Sequence, residues 1–449
     1  MLEAWRASGR EVAVVGLGKS GVAATLLLRD HGIAVYASDS GTGPRFEEWA
    51  ASLRAAGADV DLGGHDLTRI GRSVAVVVAP GVPPGVAPLE AARSAGVPVY
   101  AEVDLGFIAL TRTRCVGITG TNGKTTTTSL IAHLLTAIGL RAETAGNIGR
   151  PLCDIARLDD PPAWLALELS SFQLHDAPHL KPDIAVLTNL APNHLDRYRT
   201  LEEYYGDKAL LFVNADGGSI TVTNADDPAV QAMVAGVPGR HLRFSIRDRA
   251  DGWYDRDRRM LMLGDAAVLE RSELQLLGDH NVANALAALL VAATLGGTAE
   301  RMAAGLRTFR SIPHRVEPVR EVGGVLWVND SKSTNVTSTE VAIAAQDRPF
   351  VLLLGGRHKG EPYSRLAPLL RERCRGVVAY GEAREIIVHD LAGAVPLVEA
   401  GTFDDVLGRA RELALPGDAV LLSPACSSYD MFRNYEERGD RFRAAVEAM

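Results

Sequence analysis

Residues 119–126 read Thr119-Gly120-Thr121-Asn122-Gly123-Lys124-Thr125-Thr126 and stand between an apolar stretch at 115–119 and a helical pattern that starts near Lys124. A glycine-rich turn between a strand and a helix is the joint of a parallel α/β unit, and it restricts the surrounding chain to that layered architecture. Leu130, Leu134 and Ile138 fall on one helical row with Ile131 and Leu135 beside it, giving the predicted helix one face to bury. Gly120 and Gly123 let backbone N–H groups approach anionic oxygens, the helix N-terminus adds positive potential, and Lys124 reaches outer phosphates. Thr125 follows where a hydroxyl can ligate magnesium. The strict phosphate-loop pattern has glycine two residues before Gly120, and this chain has Ile118 there.

The same alternation of short strand, turn and helix recurs in three series. The first uses strands at 11–15, 34–37 and 74–79, the second at 115–119, 164–167 and 184–189, and the third at 325–329, 350–354, 376–380 and 420–423. An alanine- and leucine-rich stretch at 280–295, ended by Gly296-Gly297, reads as a helix between the second and third series. The reading is therefore an α/β chain of three domains, 1–103, 104–311 and 312–449, which the length of 449 residues accommodates.

Lys and Arg number 47 against 55 Asp and Glu, a formal charge of −8 without a basic or acidic tail, which excludes a general nucleic-acid binder. Cys115, Cys153, Cys374 and Cys426 form no Cys-x-x-Cys pair, so neither a disulfide framework nor structural zinc is indicated, and buried thiols are expected. No run of about 18 apolar residues and no signal-peptide pattern occurs, so a cytoplasmic protein without a membrane span is expected.

A second glycine pattern, Gly16-x-Gly18-x-x-Gly21, also lies between a strand and a helix, with Asp39 after the next strand. Given 44 glycines in 449 residues, about 0.4 such matches arise by chance, so the strand-turn-helix context gives it its weight. The turn suits any diphosphate on a helix N-terminus, a nucleotide sugar as well as a dinucleotide. Around the first loop, Glu168 follows the strand at 164–167, and His194 follows that at 184–189 within Asn193-His194-Leu195-Asp196-Arg197. Carboxylates and histidines at successive strand ends beside a phosphate loop are candidates for a magnesium site. Further on, His314-Arg315-Val316-Glu317, Asp330-Ser331-Lys332 and Lys359 concentrate charge at loop boundaries, where Arg315 is suited to clamp a phosphate and Lys332 to neutralise a developing anion. An NAD-dependent oxidoreductase would use the Gly16 loop and leave the Gly120 loop idle. A nucleotide switch would leave two further α/β series unexplained.

Taken together, these motifs resemble the Mur ligase family over essentially the whole chain. The resemblance rests on residues 119–126, Glu168-Leu169-Ser170-Ser171-Phe172-Gln173-Leu174, Asn193-His194-Leu195-Asp196-Arg197, His280-Asn281 with Asn284, Pro313-His314-Arg315 and Asn329-Asp330-Ser331-Lys332. The run Ser423-Pro424-Ala425-Cys426-Ser427-Ser428 with Arg438-Gly439 is similar to the D-glutamate-adding branch. The resemblance implies a Rossmann-like N-terminal domain for a UDP-linked substrate, a central ATPase domain and a Rossmann-like C-terminal domain for the amino acid. It implies an ATP-dependent amide ligase of peptidoglycan precursor synthesis, acting through an acyl phosphate on UDP-N-acetylmuramoyl-L-alanine and D-glutamate, and working as a monomer.

By the same resemblance, Gly120, Thr121, Asn122, Gly123, Lys124, Thr125, Thr126, Asn281, Asn284, Arg315 and Asp330 contact ATP. Two Mg²⁺ ions are implied, with Thr125, Glu168, His194 and a carbamylated Lys208 as ligands. Lys124, His194, Lys208, Arg315 and Lys332 surround the reaction. Lys19, Ser20, Asp39, Ser40 and Asn147 fall on the UDP-substrate positions, and Thr334, Lys359, Ser428 and Tyr435 on the glutamate positions, with Tyr435 where the family carries phenylalanine.

Overall fold

The computed structural model describes residues 1–193 and 198–449. Apolar β-branched runs become buried central strands, and among the described residues they form three sheets, each the core of an α/β domain.

The first sheet comprises β1 (Val12–Val15), β2 (Val35–Asp39), β3 (Asp59–Leu62), β4 (Ala75–Val78) and β5 (Val99–Ala101). Its order is β3-β2-β1-β4-β5, with every pair parallel. The strand order reverses between β1 and β4, so the loops that leave these two strands diverge and open a crevice at their carboxyl ends. Val12, Val14, Leu27, Leu28 and Val77 close one face of this sheet.

The second sheet comprises β6 (Arg114–Thr119), β7 (Ala142–Gly146), β8 (Trp164–Glu168), β9 (Ile184–Leu187), β10 (Ile220–Asn224), β11 (Arg240–Ser245), β12 (Gly252–Asp255), β13 (Met260–Leu263) and β14 (Ala266–Glu270). The order is β14-β13-β12-β11-β10-β9-β6-β8-β7, parallel as far as β12 and antiparallel across β12-β13-β14. β6 lies between β8 and β9, with Ile118 in register with both Glu168 and Val186. That pairing brings the residues following three strands to one edge. The expected helix at 280–295 is Asp279–Thr294.

The third sheet comprises β15 (Glu317–Val322), β16 (Val325–Asn329), β17 (Phe350–Gly355), β18 (Cys374–Tyr380), β19 (Leu397–Ala400) and β20 (Ala419–Leu422), in the order β15-β16-β20-β17-β18-β19. All neighbours are parallel except β15-β16. The first two sheets belong to one compact unit, residues 1–271 with 283–306, and the third to a second unit, residues 272–282 with 307–449. Cys115, Cys153 and Cys426 are buried free thiols, whereas Cys374 is only partly covered. Among the described residues no helix is long and apolar enough to cross a membrane.

Candidate active site

The Gly120 loop owes its shape to two glycines and to the end of β9. Gly120 and Gly123 hold φ of 146° and 80°, a region that side chains disfavour. A side chain at Gly120 would collide with the Thr188 hydroxyl, and a Cβ at Gly123 would fall 2.5 Å from Asn284 Oδ1. Thr121 N donates to Asn189 O and Asn122 N to Asn189 Oδ1, both at 2.9 Å. The Thr188 hydroxyl donates to Asn122 O at 2.7 Å. The Lys124–Ala137 helix then starts without a side-chain cap, which leaves its first-turn N–H groups suited to an anion.

Two lysines converge on one carbonyl of this loop. Lys124 Nζ donates to Gly120 O (3.0 Å) and Thr121 O (2.8 Å), and Lys208 Nζ donates to Gly120 O (2.8 Å). Lys208 projects from the Leu201–Ala209 helix and is 1% exposed. Burial, reinforced by the Lys124 charge and opposed by Asp207, pulls its pKa down to about 6. Its amine is therefore neutral near pH 7, with a lone pair available for reaction.

Glu168 ends β8 beside the loop and is 2% exposed. Its Oε1 accepts from Asn147 Nδ2 at 2.7 Å, while Oε2 is buried without a hydrogen-bond partner among the described residues. A buried carboxylate oxygen left in this way is destabilising unless a cation meets it, and Mg²⁺ prefers oxygen donors. The Glu168 carboxylate is thus suited to a divalent ion, although no group of three or more His, Cys, Asp or Glu side chains is assembled among the described residues. His194 lies outside the described residues. Asn284 sits against the loop, its Oδ1 accepting from the Thr127 hydroxyl at 3.1 Å. Asn281, in the second unit, donates to Leu277 O at 2.8 Å.

At the β1/β4 crevice lies a cavity of about 580 Å³ lined by Lys19, Ser20, Asp39, Ser40 and Asn147, the five residues expected at the UDP-substrate position. Asp39 has a task not visible in the sequence. Its Oδ2 accepts from Leu17 N and its Oδ1 from Gly41 N, both at 2.6 Å, so the carboxylate shapes the glycine turn. Gly16 has φ 92°, and a side chain at Gly21 would overlap the Gly16 carbonyl. Phe46, Trp49 and His65 also line the cavity and were missed by sequence reasoning. Their signal was weak: Phe46 and Trp49 stand three apart on a helix, where an aromatic pair reads equally as core.

In the second unit the loops after β16, β17 and β20 leave adjacent strands at their carboxyl ends, carrying Lys332 and Thr334, Lys359, and Ser428 respectively. Arg315 lies between His314 (φ 65°) and Val316 (φ 41°), and a β-branched residue at positive φ is strained. Asp330 Oδ1 holds that turn by accepting from Val316 N at 3.1 Å, and Lys332 N donates to His314 O at 3.1 Å. Burial pushes the Asp330 carboxyl up to about 6, against hydrogen bonds from the Ser333 and Ser423 hydroxyls. Lys332 Nζ donates to the Tyr435 hydroxyl at 3.2 Å, and the Ser331 hydroxyl to Tyr435 O at 2.8 Å. Arg438, fully buried and named in the sequence only as part of a motif without a role, donates to Ser331 O (2.8 Å) and Cys426 O (3.2 Å), tying the β16 loop to the β20 loop. Arg315, Asp330, Lys332 and Tyr435 are thus gathered around one turn, with the buried Arg315 Nε unpartnered among the described residues.

Along the chain a Rossmann-like domain, a phosphate-loop domain with paired lysines and a second Rossmann-like domain follow one another, an organisation suited to a nucleotide-driven enzyme. The chain belongs to the Mur ligase family, a family of ATP-dependent ligases. Residues 10–101 match the N-terminal domain of MurD-like Mur ligases, 118–292 the Mur ligase middle domain and 314–426 the Mur ligase glutamate ligase domain. The UDP-N-acetylmuramoylalanine–D-glutamate ligase of Acidobacterium capsulatum is 41% identical over 447 residues, covering 98% of this chain and 96% of that protein. The ligase of the same name from Myxococcus xanthus is 40% identical over 459 residues, covering 98% and 99%. The MurF ligase of Thermotoga maritima, solved with ADP, shares the fold with a TM-score of 0.62 at 19% identity, covering 92% of this chain and 95% of that one.

Proposed function

We propose that this protein joins D-glutamate to UDP-N-acetylmuramoyl-L-alanine with ATP as the driving nucleotide, in the cytoplasm, as a monomer and as a step of peptidoglycan precursor synthesis. The reading assigns residues 1–103 to the UDP-linked substrate, 104–311 to ATP and 312–449 to the amino acid. Its single strongest structural support is the buried, neutral Lys208 amine 2.8 Å from the same carbonyl that holds Lys124.

In this reading the terminal carboxylate of the alanyl group attacks the γ-phosphorus of ATP, ADP leaves, and the resulting acyl phosphate accepts the glutamate amine with loss of phosphate. Two feasible displacements replace one attack on an unactivated carboxylate. Lys124 leaves its loop carbonyls for the β/γ-phosphates, with the first-turn N–H groups, Thr125 and Thr126 beside it. The neutral Lys208 amine attacks CO₂, forming an N–C bond and releasing a proton, and so becomes a carbamate that carries a carboxylate-like charge. Glu168, carbamylated Lys208, Thr125 and His194 would hold two Mg²⁺ ions, whose chemistry is to neutralise charge on the transferring phosphoryl group. Arg315 and Lys332 stabilise phosphoryl charge from the C-terminal domain, Asn281, Asn284 and Asp330 complete the nucleotide site, and Thr334, Lys359, Ser428 and Tyr435 orient the glutamate carboxylates.

The test is phosphate release with ATP, Mg²⁺ and UDP-N-acetylmuramoyl-L-alanine, adding D-glutamate, L-glutamate or meso-diaminopimelate in turn and weighing the products. D-glutamate alone should drive release and add one glutamyl mass. Turnover with none of the three sinks the ligase reading.

A further inference from the structure

The Glu102–Ala109 helix joins the first sheet to the second and buries two carboxylates, Glu102 and Asp104, both 0% exposed. Both bond groups of the second domain. Asp104 Oδ1 accepts from His179 N at 2.9 Å, and Oδ2 lies 2.8 Å from His179 Nδ1. Glu102 Oε1 accepts from Cys153 N at 2.7 Å, and the Cys153 thiol donates to Glu102 O at 3.4 Å.

Cys153 is in the first turn of the Leu152–Ala156 helix, whose N-cap is Pro151, a residue without a side-chain acceptor. Glu102 supplies the missing cap from outside the helix, its carboxyl oxygen accepting from an otherwise unpaired N–H of the helix start. The two helices meet at backbone distance, because a Cβ at Gly106 would lie 2.8 Å from the Leu152 carbonyl carbon.

The capped turn anchors one end of the loop 146–151; the β7-β8 ladder anchors the other. Between them the Ala145↔Arg150 bridge closes the loop, and Gly149 (φ 74°) is pressed against Thr144 O, where a Cβ would lie at 2.6 Å. Asn147 in this loop donates through its backbone N to Glu168 O (2.8 Å) and through Nδ2 to Glu168 Oε1 (2.7 Å), and it lines the 580 Å³ cavity.

We propose that Glu102 is a positioning residue: by capping the Leu152–Ala156 helix from the neighbouring domain it holds the Asn147 loop, and through Asn147 it sets both the binding cavity for the UDP-linked substrate and the orientation of the Glu168 carboxylate. The inference rests on the functional reading above for the identity of that substrate. Oε2 of Glu102 is buried without a partner among the described residues, so the side chain is retained at a solvation cost for the bond its other oxygen makes.

Calorimetric titration of the full-length protein tests this. The ligands are a non-hydrolysable ATP analogue with Mg²⁺, and then UDP-N-acetylmuramoyl-L-alanine on the nucleotide-loaded protein. The unmodified protein should bind both. Glu102→Ala should weaken the UDP-linked substrate at least tenfold and raise the Mg²⁺ concentration for half-maximal ligation, while nucleotide affinity stays within twofold. Glu102→Gln, which keeps a carbonyl acceptor in place of Oε1, should recover substrate affinity to within threefold of the parent. Equal weakening of both ligands by Glu102→Ala, or no weakening, overturns the inference and leaves the functional reading intact. If Glu102→Ala does not fold, Glu102→Asp, one methylene too short to reach Cys153 N, carries the same comparison. No binding of the UDP-linked substrate by the unmodified protein overturns the functional reading and this inference with it.

Discussion

The two glycine loops of the first unit share a strand-turn-helix frame and are completed by opposite kinds of group, a hydrogen-bond acceptor at one and donors at the other. At the Gly16 turn a carboxylate, Asp39, spends both oxygens on backbone N–H groups of the turn and its neighbour. At the Gly120 loop two lysine side chains, Lys124 and the neutral Lys208, spend N–H donors on backbone carbonyls. The first loop is thus finished by the protein and shaped before any ligand arrives. The second holds lysine donors on neutral backbone carbonyls, which a phosphate replaces as a stronger, charged acceptor. The difference suits their proposed tasks: one loop grips a diphosphate that leaves unchanged, the other stabilises a phosphoryl group whose charge moves during reaction.

The comparison breaks most severely at Lys124. Lys124→Ala should lower the ligation rate by at least about a hundredfold while binding of the UDP-linked substrate to the first cavity persists, measured by phosphate release and calorimetry on one preparation. Near-normal turnover would mean the second loop is not the phosphoryl-transfer site. Next in size, Lys208→Arg keeps a long side chain with N–H donors but has no nucleophilic amine near neutral pH. Activity should fall on the order of a hundredfold, and depletion of CO₂ and bicarbonate should slow the parent while leaving the variant's residual rate unchanged.

A smaller effect sharpens the contrast from the other loop. Asp39→Asn leaves one of two backbone N–H groups facing an amide donor, a loss of about 1–3 kcal/mol. KM for the UDP-linked substrate should rise about tenfold or more with KM for ATP unchanged; parallel rises in both would show that the two loops are not separable.

The smallest effect concerns stability. Burial, opposed by the bond from Cys153 N and aided by Asp154, lifts the Glu102 carboxyl to about 7 from 4.5. The folded protein therefore binds the extra proton between those values. Stability from this group is full below about pH 4.5 and declines as pH rises towards 7. Glu102→Gln removes that slope, so its melting temperature relative to the parent should climb by a few degrees between pH 5 and pH 8. A constant difference across that range would contradict the assignment.

What the sequence disclosed follows from how local each signal is. The Gly120 loop, its flanking strand and helix, and the alternation of strands and helices are written in neighbouring residues. The central strands and the Asp279–Thr294 helix stand where the pattern placed them. The hairpin strands β12 to β14 were not legible: they are short, and charges such as the partly buried Asp255 and the exposed Arg258 and Arg259 obscure their alternation. Lys208 was reached through family resemblance, because its depressed pKa depends first on tertiary burial and then on Lys124, 84 positions away in sequence. The double duty of Asp39, the buried Arg438 and the Glu102 cap are hydrogen bonds between distant segments. No periodicity encodes them.

Isotope transfer tests the central claim most directly. With UDP-N-acetylmuramoyl-L-alanine labelled with ¹⁸O in its terminal carboxylate, turnover in the presence of ATP, Mg²⁺ and D-glutamate should place one labelled oxygen in each phosphate released, because the carboxylate oxygen that attacks the γ-phosphorus departs with it. Unlabelled phosphate, with the label kept in the amide or lost to water, would contradict the account.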